Sequence, residues 1–230
     1  MPQLIRILDY NLIGYNPDIP ANAQQKVDNH IIVDKDDWIL GFCKDFKDSF
    51  KPQTTRKQKR KCMYCRTTLN VDGSGNAIEH ITPRKLKPYW MFVVRNLAVA
   101  CDNCNSSKND ANILRLRANN YGDQANQCPN NANEYLIFNP HFDKWSDHFD
   151  IEDGYFLKAK PNTKGPATYS YCKMNRYHII IDYLDELKIR LPFSYRILTK
   201  RIRKEKDPNK LSVLRTALEY IEELMKLNNH

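Results

Sequence analysis

The sequence predicts an α+β fold, and three observations lead to that prediction. Apolar residues return at helical intervals near residues 36–50 and 177–191. Apolar-rich stretches around residues 69–81 and 148–159 each contain a turn signal of the kind that joins two antiparallel strands. Two CxxC pairs, which can share one metal ion, enclose the first of these stretches. We therefore expect a small strand-and-helix core braced by a metal, with helical segments on both sides.

The chain divides into three consecutive regions without a clear linker between independent domains. We expect residues 1–50 to form an N-terminal helical segment and residues 51–115 to form a basic arm and the metal-braced core. Residues 116–230 should form a C-terminal hairpin and helical region packed on that core. Within it, the Asn-rich residues 116–133 are predicted to be a loop.

The N-terminal region begins with a strand-like stretch and continues into one helix. The strand-like stretch contains Leu4, Ile5 and Ile7. The helix near residues 36–50 has a face that we expect to be buried, formed by Trp38, Ile39, Phe42, Phe46 and Phe50. Residues 51–66 then contain seven Lys and Arg and no acidic residue. Two interpretations of this segment stay open, a solvated linker and an arm that contacts phosphate.

The C-terminal region reads as strands followed by helices. The apolar run at residues 135–138 predicts a strand, and Asp153-Gly154 predicts the turn of a hairpin. A helix ending at Pro192 should bury Tyr177, Ile180, Ile181, Leu184, Leu187 and Leu191. The last helix should have Asp207 as its N-cap and Pro208 in its first turn.

Composition indicates a folded protein that does not cross a membrane. The chain has 230 residues, of which 41% are hydrophobic and 11% aromatic. Its mean hydropathy of -0.68 indicates a polar surface. No run of about 18 apolar residues occurs, and the first residues lack the apolar stretch of a secretory signal. The expected location is the cytoplasm.

The charge balance favours a polyanionic partner. Lys and Arg number 36 against 27 Asp and Glu, which gives a net charge of +9. Nucleic acid is the first candidate and an anionic membrane surface the second. The positive charge is concentrated in residues 51–66 and 196–210. The candidate nucleic-acid-binding residues are Arg56, Lys57, Lys59, Arg60, Lys61, Arg84, Lys85, Lys108, Lys200, Arg201 and Arg203.

The cysteines predict a structural zinc site. Cys62 and Cys65 form one CxxC pair, Cys101 and Cys104 form another, and 35 residues separate them. Four thiolates leave no open coordination position, which suits structural zinc, a tetrahedral and redox-inert ion. Redox chemistry is a poorer fit, because one CxxC pair suffices for it. The remaining cysteines are expected to be buried free thiols and are Cys43, Cys128 and Cys172.

The stretch between the two pairs contains residues suited to phosphodiester hydrolysis. Glu79 and His80 lie at the end of a predicted strand, and Asn105 and Lys108 share one face of the helix that the second pair opens. His80 can act as general base towards water. Glu79 and Asn105 offer the oxygen ligands that Mg²⁺ or Mn²⁺ prefers, and Lys108 adds positive potential at the phosphate.

These residues resemble the HNH nucleases, in the subset whose ββα-metal motif is braced by four cysteines. The resemblance spans about 50 residues through CxxC, EHITP at 79–83, NL at 96–97 and CxxCNSSK at 101–108. It implies that His80 activates water and that Glu79 and Asn105 hold the catalytic ion. It also implies that Asn96 fixes the intervening loop through backbone hydrogen bonds. Many members have His at the position of Asn105, and Asp or His at that of Glu79.

The flanking segments show a second resemblance, through residues 139–157, GPAT at 165–168 and NR at 175–176. They are similar to the HNH subunits of Septu-type defence systems (PtuB-like), which also accompany retrons. This resemblance implies an anti-phage role and an ATPase partner subunit. His141 and His148 lie in the first segment without a cysteine at ligand spacing, so packing or hydrogen-bonding roles are expected for them.

The expected function is therefore that of a metal-dependent HNH endonuclease, with DNA favoured as substrate. Two alternatives stay open. One is a zinc-braced nucleic-acid-binding or scaffold subunit without catalysis, and the other is an HNH nuclease that cleaves RNA or tRNA. A site that contacts phosphate does not by itself distinguish these substrates.

Overall fold

A computed structural model describes residues 10–228 of the chain, and the predicted strand-like stretch at Leu4, Ile5 and Ile7 lies outside them. The fold is α+β. The α-helices are α1 (Ala21–Asp28), α2 (Lys44–Lys57), α3 (Asp102–Lys108), α4 (Gly165–Tyr171), α5 (Tyr177–Glu186), α6 (Leu191–Ile202) and α7 (Pro208–Leu227). The strands are β1 (Asn76–His80), β2 (Leu97–Cys101), β3 (Phe149–Glu152) and β4 (Phe156–Ala159). Among the described helices, none has the length and apolar character needed to span a bilayer.

The central sheet pairs β1 with β2 in antiparallel register, from Asn76 opposite Cys101 to His80 opposite Leu97. The prediction of a hairpin within residues 69–81 is therefore wrong for its first strand, because β1 pairs with β2 and not with the stretch that begins at residue 69. The segment before β1 instead folds into a turn in which the Asn70 amide donates to the Ser74 carbonyl. β2 is buried over four of its five residues, so pairing β1 with it removes more apolar surface from water.

The N-terminal helix begins and ends later than predicted. Two short 3₁₀ turns, Lys35–Ile39 and Gly41–Cys43, precede α2. The Asp37 carboxylate accepts hydrogen bonds from backbone N–H groups of Val33 and Asp34, which stabilises a local turn in place of an α-helical start. Ile39 is 69% exposed, contrary to its predicted burial.

α2 itself packs its aromatic face as expected. Phe46 and Phe50 are buried in a cluster with Val27 and Leu97, so the helix lies against α1 and β2. The helix continues to Lys57, and the first part of the predicted basic arm is therefore helical.

In the C-terminal region the hairpin prediction is confirmed and the strand at residues 135–138 is wrong. β3 and β4 pair antiparallel, and Asp153 and Gly154 adopt positive φ values of 56° and 85° in the connecting loop. At the predicted strand, only an isolated bridge joins Tyr135 to Leu114. The apolar run is used for burial in the core instead.

Pro192 begins a helix rather than ending one. α5 ends at Glu186, and Lys188 adopts a left-handed φ of 55°. Pro192 then occupies the first turn of α6, where its missing N–H has no intrahelical partner to lose. The start of α7 is confirmed, because the Asp207 side chain accepts hydrogen bonds from the backbone N–H groups of Asn209 and Lys210.

The C-terminal region is anchored on the first cysteine pair through buried polar contacts. The Trp145 indole N–H donates to the Tyr64 carbonyl at 2.8 Å, and the Tyr183 hydroxyl donates to the Cys65 carbonyl at 2.7 Å. His141, whose Nε2 lies 2.8 Å from the Leu97 carbonyl oxygen, ties the same region to β2. Burial lowers the pKa of His141 to about 4, so this histidine is a neutral hydrogen-bonding residue at pH 7.

Candidate active site and metal centre

The four predicted zinc ligands come together at one end of the central sheet. The Sγ atoms of Cys62, Cys65, Cys101 and Cys104 all lie within 4.8 Å of one another. The Sγ atoms of Cys65 and Cys101 are 3.8 Å apart, close to the ~3.8 Å that a tetrahedron with Zn–S bonds of ~2.3 Å requires. These cysteines could bind a metal such as zinc. The Met63 backbone N–H donates to the Val99 carbonyl and ties the first pair to β2.

Backbone and guanidinium donors surround the cysteine cluster. The Arg176 guanidinium donates to Cys104 Sγ at 3.0 Å, and the Cys101 N–H donates to Cys62 Sγ at 3.4 Å. Such donors favour thiolate over thiol and orient the ligands. The role of Arg176 was missed by the sequence patterns, since it lies 72 residues from Cys104. The prediction of three further free thiols is confirmed for Cys43, Cys128 and Cys172, all buried.

A cleft of about 550 Å³ lies beside this centre, along β1 and the first turns of α3. Four predicted site residues line it, namely Glu79, His80, Asn105 and Lys108. Arg84 lines it from the loop after β1, and Trp38 from the N-terminal segment. β1, α3 and the two flanking segments thus converge on one concave surface. The contribution of Trp38 was missed by the sequence patterns, which placed it only in a helical core face.

Glu79 and Lys108 form a buried ion pair at the base of this cleft. Their side chains are 1% and 2% exposed, and Lys108 Nζ lies 2.9 Å from Glu79 Oε1. The Tyr64 hydroxyl donates to the same oxygen at 3.0 Å. Burial raises the pKa of Glu79 above its usual range, and the opposing effects of Lys108 and Tyr64 offset only part of that rise.

Lys108 is therefore engaged by protein groups, and its predicted nucleic-acid contact stays a prediction. Its Nζ also donates to the carbonyl oxygens of His80 at 3.1 Å and Ile81 at 3.2 Å. The ammonium is thus surrounded by acceptors. It holds the end of α3 against the turn that follows β1.

His80 is buried and oriented by a single hydrogen bond. Its Nε2 lies 3.2 Å from the Met91 carbonyl oxygen, which can only accept, so Nε2 carries the proton and Nδ1 has the free lone pair. The edge of Trp38 contacts the imidazole with ring centroids 4.5 Å apart. Burial, together with the positive charges of Arg84 and Lys108, lowers the pKa of His80 to about 3. The ring is therefore neutral at pH 7.

Asn96 is fully buried and makes the backbone hydrogen bonds expected for it. Its Oδ1 accepts from the Thr82 N–H at 2.7 Å, and its Nδ2 donates to the carbonyls of Thr82 and Trp90. These bonds close the loop between β1 and β2. Asn96 does not line the cleft, so it acts by positioning the loop that follows His80.

The cleft offers oxygen donors for a divalent ion, although fewer than a closed metal site would. Both contacts to the Glu79 carboxylate fall on Oε1, and Asn105 is partly exposed without a side-chain hydrogen bond to any residue described. Glu79 Oε2 and Asn105 Oδ1 suit a hard cation. In residues 10–228 the four cysteines form the one cluster of three or more His, Cys, Asp or Glu ligand atoms close enough to share an ion.

The predicted basic contacts divide into exposed and engaged residues. The exposed ones are Arg56, Lys57, Lys59, Arg60, Lys85, Lys200 and Arg203. Arg84 is partly buried, and its guanidinium donates to the Lys35 carbonyl.

Two of the predicted contact residues are engaged by acids that are distant in sequence. Lys61 is 3% exposed, and its Nζ donates to Glu186 at 2.7 Å across 125 residues of sequence. The Arg201 guanidinium donates to Glu152 at 3.0 Å and to Asp153 at 2.8 Å. Both cations are thus paired with protein carboxylates, and their predicted contacts with nucleic acid stay predictions.

Replacing Lys108 by methionine is expected to destabilise the fold by about 3–5 kcal/mol, because it leaves the buried Glu79 carboxylate without its cation. Denaturant unfolding of the zinc-loaded protein measures this change. The double variant Lys108→Met/Glu79→Gln should recover most of the loss, since both charges are then absent.

Lys85→Met is the matched control, because Lys85 pairs with Asp110 at 3.2 Å on the exposed edge of the same cleft. Its loss should cost less than about 1 kcal/mol. Equal costs for Lys85→Met and Lys108→Met would contradict the description of the Glu79–Lys108 pair as buried and mutually dependent.

No family model, curated protein or solved structure matches this chain.

Proposed function

We propose that the protein is a metal-dependent endonuclease that hydrolyses phosphodiester bonds of nucleic acid, with DNA as the favoured substrate. One observation carries this proposal. Glu79, His80 and Asn105, three residue types suited to the reaction, line a single cleft that is built on the cysteine-braced sheet and helix. A purely structural role for all three would not require them to face the same open space.

His80 is the general base in this proposal. Its ring is neutral, its Nε2 proton is held by the Met91 carbonyl, and its Nδ1 lone pair remains to take a proton from water. Glu79 Oε2 and Asn105 Oδ1 would hold Mg²⁺ or Mn²⁺, which stabilises charge on the phosphate and the leaving oxygen. Arg84, which also lines the cleft, adds positive charge beside the scissile group.

The order of elements supports the resemblance to HNH nucleases with four cysteines. β1, β2 and α3 follow one another as strand, strand and helix, with one cysteine pair before β1 and the other at the end of β2 and the start of α3. The further proposal of an anti-phage effector that works with an ATPase takes its support from the sequence resemblance of residues 139–157, 165–168 and 175–176.

A second candidate function is a zinc-braced nucleic-acid-binding subunit without catalysis. The observation that favours it is the Lys108 ammonium, which already neutralises the Glu79 carboxylate. A catalytic ion must share that carboxylate with Lys108, whereas a binding subunit needs no ion there. The two candidates make opposite predictions about cleavage.

The test is cleavage of supercoiled plasmid DNA by the zinc-loaded full chain, with Mg²⁺, with Mn²⁺ and without an added divalent ion. We expect nicked or linear product only with an added ion, while bound zinc stays constant. A single-stranded RNA assayed in parallel decides between DNA and RNA. Salt-dependent binding of DNA and RNA with no cleavage under any condition would favour the non-catalytic subunit.

A further inference from the structure

A second concave surface lies at the opposite end of β1 from the catalytic residues. This surface, which we call the α2 groove, has a volume of about 380 Å³ and lies between the C-terminal half of α2 and the turn at residues 70–76. Its cationic lining residues are Lys51, Arg56 and Arg60. We propose that the α2 groove binds the nucleic-acid backbone that flanks the cleaved bond, an inference that rests on the proposed function.

The charges of the α2 groove are available to a phosphate. Arg56 and Arg60 are exposed, and neither forms an ion pair with an acidic residue in the described range. Asp72 is the acid that lines the groove, and its Oδ1 accepts from both the N–H and the hydroxyl of Ser74. Lys51 donates to the Gly73 carbonyl at 3.1 Å, which holds the turn against α2. The groove is therefore locally positive, with its one carboxylate engaged by its own turn.

The backbone that presents Arg60 is held rigidly. Lys59 and Arg60 adopt left-handed φ values of 52° and 57°, a costly conformation for residues with a Cβ. The preceding Gln58 stabilises it, because its side-chain amide donates to the Val99 carbonyl and accepts from the Val99 N–H, both at 2.8 Å. The end of α2 is thus fixed on β2. Pre-positioned cations lose less conformational entropy on binding than cations on a mobile linker.

β1 sets the distance between the α2 groove and the cleft. Asn76 lines the groove and His80 lines the cleft, at opposite ends of the same strand. Four residue steps at about 3.3 Å each separate them by about 13 Å. A phosphate backbone held by Arg56 and Arg60 can therefore continue along β1 to His80.

The experiment compares two variants with the same change in charge. Arg56→Gln/Arg60→Gln removes two cations from the α2 groove, and Arg215→Gln/Lys226→Gln removes two exposed cations from α7. The full zinc-loaded chain is titrated by fluorescence anisotropy with a 24-base-pair duplex, without an added divalent ion, over a range of salt concentrations. Melting temperatures verify that both variants are folded.

The groove variant should bind at least about tenfold more weakly, and the slope of log affinity against log salt should fall by about 2 in magnitude. The control variant should change much less. Equal weakening by the two variants, or unchanged binding by the groove variant, would overturn the proposal, as would a parent protein that does not bind the duplex.

A second measurement locates the contacted phosphates. In duplexes with one uncharged methylphosphonate placed at successive positions, the largest loss of binding outside the cut site should fall on phosphates that flank it, and this loss should disappear in the groove variant. A loss that persists unchanged in the groove variant overturns the assignment of these phosphates to the groove. Because the titration needs no cleavage, a binding defect without nuclease activity would reject the proposed function and keep the groove. DNA cleavage by the parent, together with unaltered DNA binding by the groove variant, would keep the proposed function and reject the groove.

Discussion

Replacing His80 by alanine is expected to lower DNA cleavage by at least about 100-fold, because the variant lacks the general base that we propose to take the proton from water. The measurement is plasmid nicking in Mg²⁺ or Mn²⁺ by the zinc-loaded variant and parent. DNA affinity and zinc content should stay at the parental level. His80 touches no cysteine ligand among its described contacts, so its loss leaves the cysteine cluster in place.

His178→Ala is the matched control, because His178 is a partly buried histidine outside the cleft that contacts Asn103 at 3.4 Å. It should cleave like the parent. If His80→Ala cleaves as well as the parent and His178→Ala, water activation by His80 is rejected. A folded His80→Ala protein with normal zinc and normal DNA affinity but no cleavage supports its assignment as base.

Replacing Cys101 by serine is expected to unfold the protein at ordinary temperature. Structural zinc binding contributes about 10–16 kcal/mol in zinc-finger peptides, whereas a whole domain is stable by only about 5–15 kcal/mol. The loss of one thiolate ligand can therefore remove as much free energy as stabilises the whole fold. The measurements are zinc per chain, expected to fall from about one towards zero, and the melting temperature, expected to fall with it. Prolonged chelation of the parent should have the same effect.

Cys128→Ala is the matched control, because Cys128 is a buried thiol outside the cluster. It should keep one zinc and lose only the stability that a small buried side chain contributes, about 1 kcal/mol. A Cys101→Ser protein that retains one zinc per chain and melts like the parent would contradict the four-cysteine site.

Features that depend on neighbouring residues were predictable. The two CxxC spacings identified all four cysteines, because each short loop places two thiols near one point. Asp207-Pro208 marked the start of α7, and Asp153-Gly154 marked the loop between β3 and β4, through local backbone preferences. The residues at the base of the cleft were also identified, since Glu79 and His80 are adjacent in sequence.

Features that depend on distant partners were not predictable. β1 has as its partner β2, which follows it after 16 intervening residues, and not the nearer stretch at residues 69–71. The burial of Lys61 depends on Glu186, and the engagement of Arg201 depends on Glu152 and Asp153. A count of basic residues could not show which charges already have acids beside them.

The sequence by itself determined the four candidate metal ligands, the residue types that line the cleft and the two basic clusters, because these follow from residue type and short spacing. Only the tertiary structure decided how those residues are arranged. In the structure, Lys108 forms an ion pair with Glu79 instead of presenting a free charge. Arg201 forms an ion pair with Glu152, whereas Arg56 and Arg60 are exposed. The physical reason is that burial and ion pairing depend on which segments the long-range packing brings together.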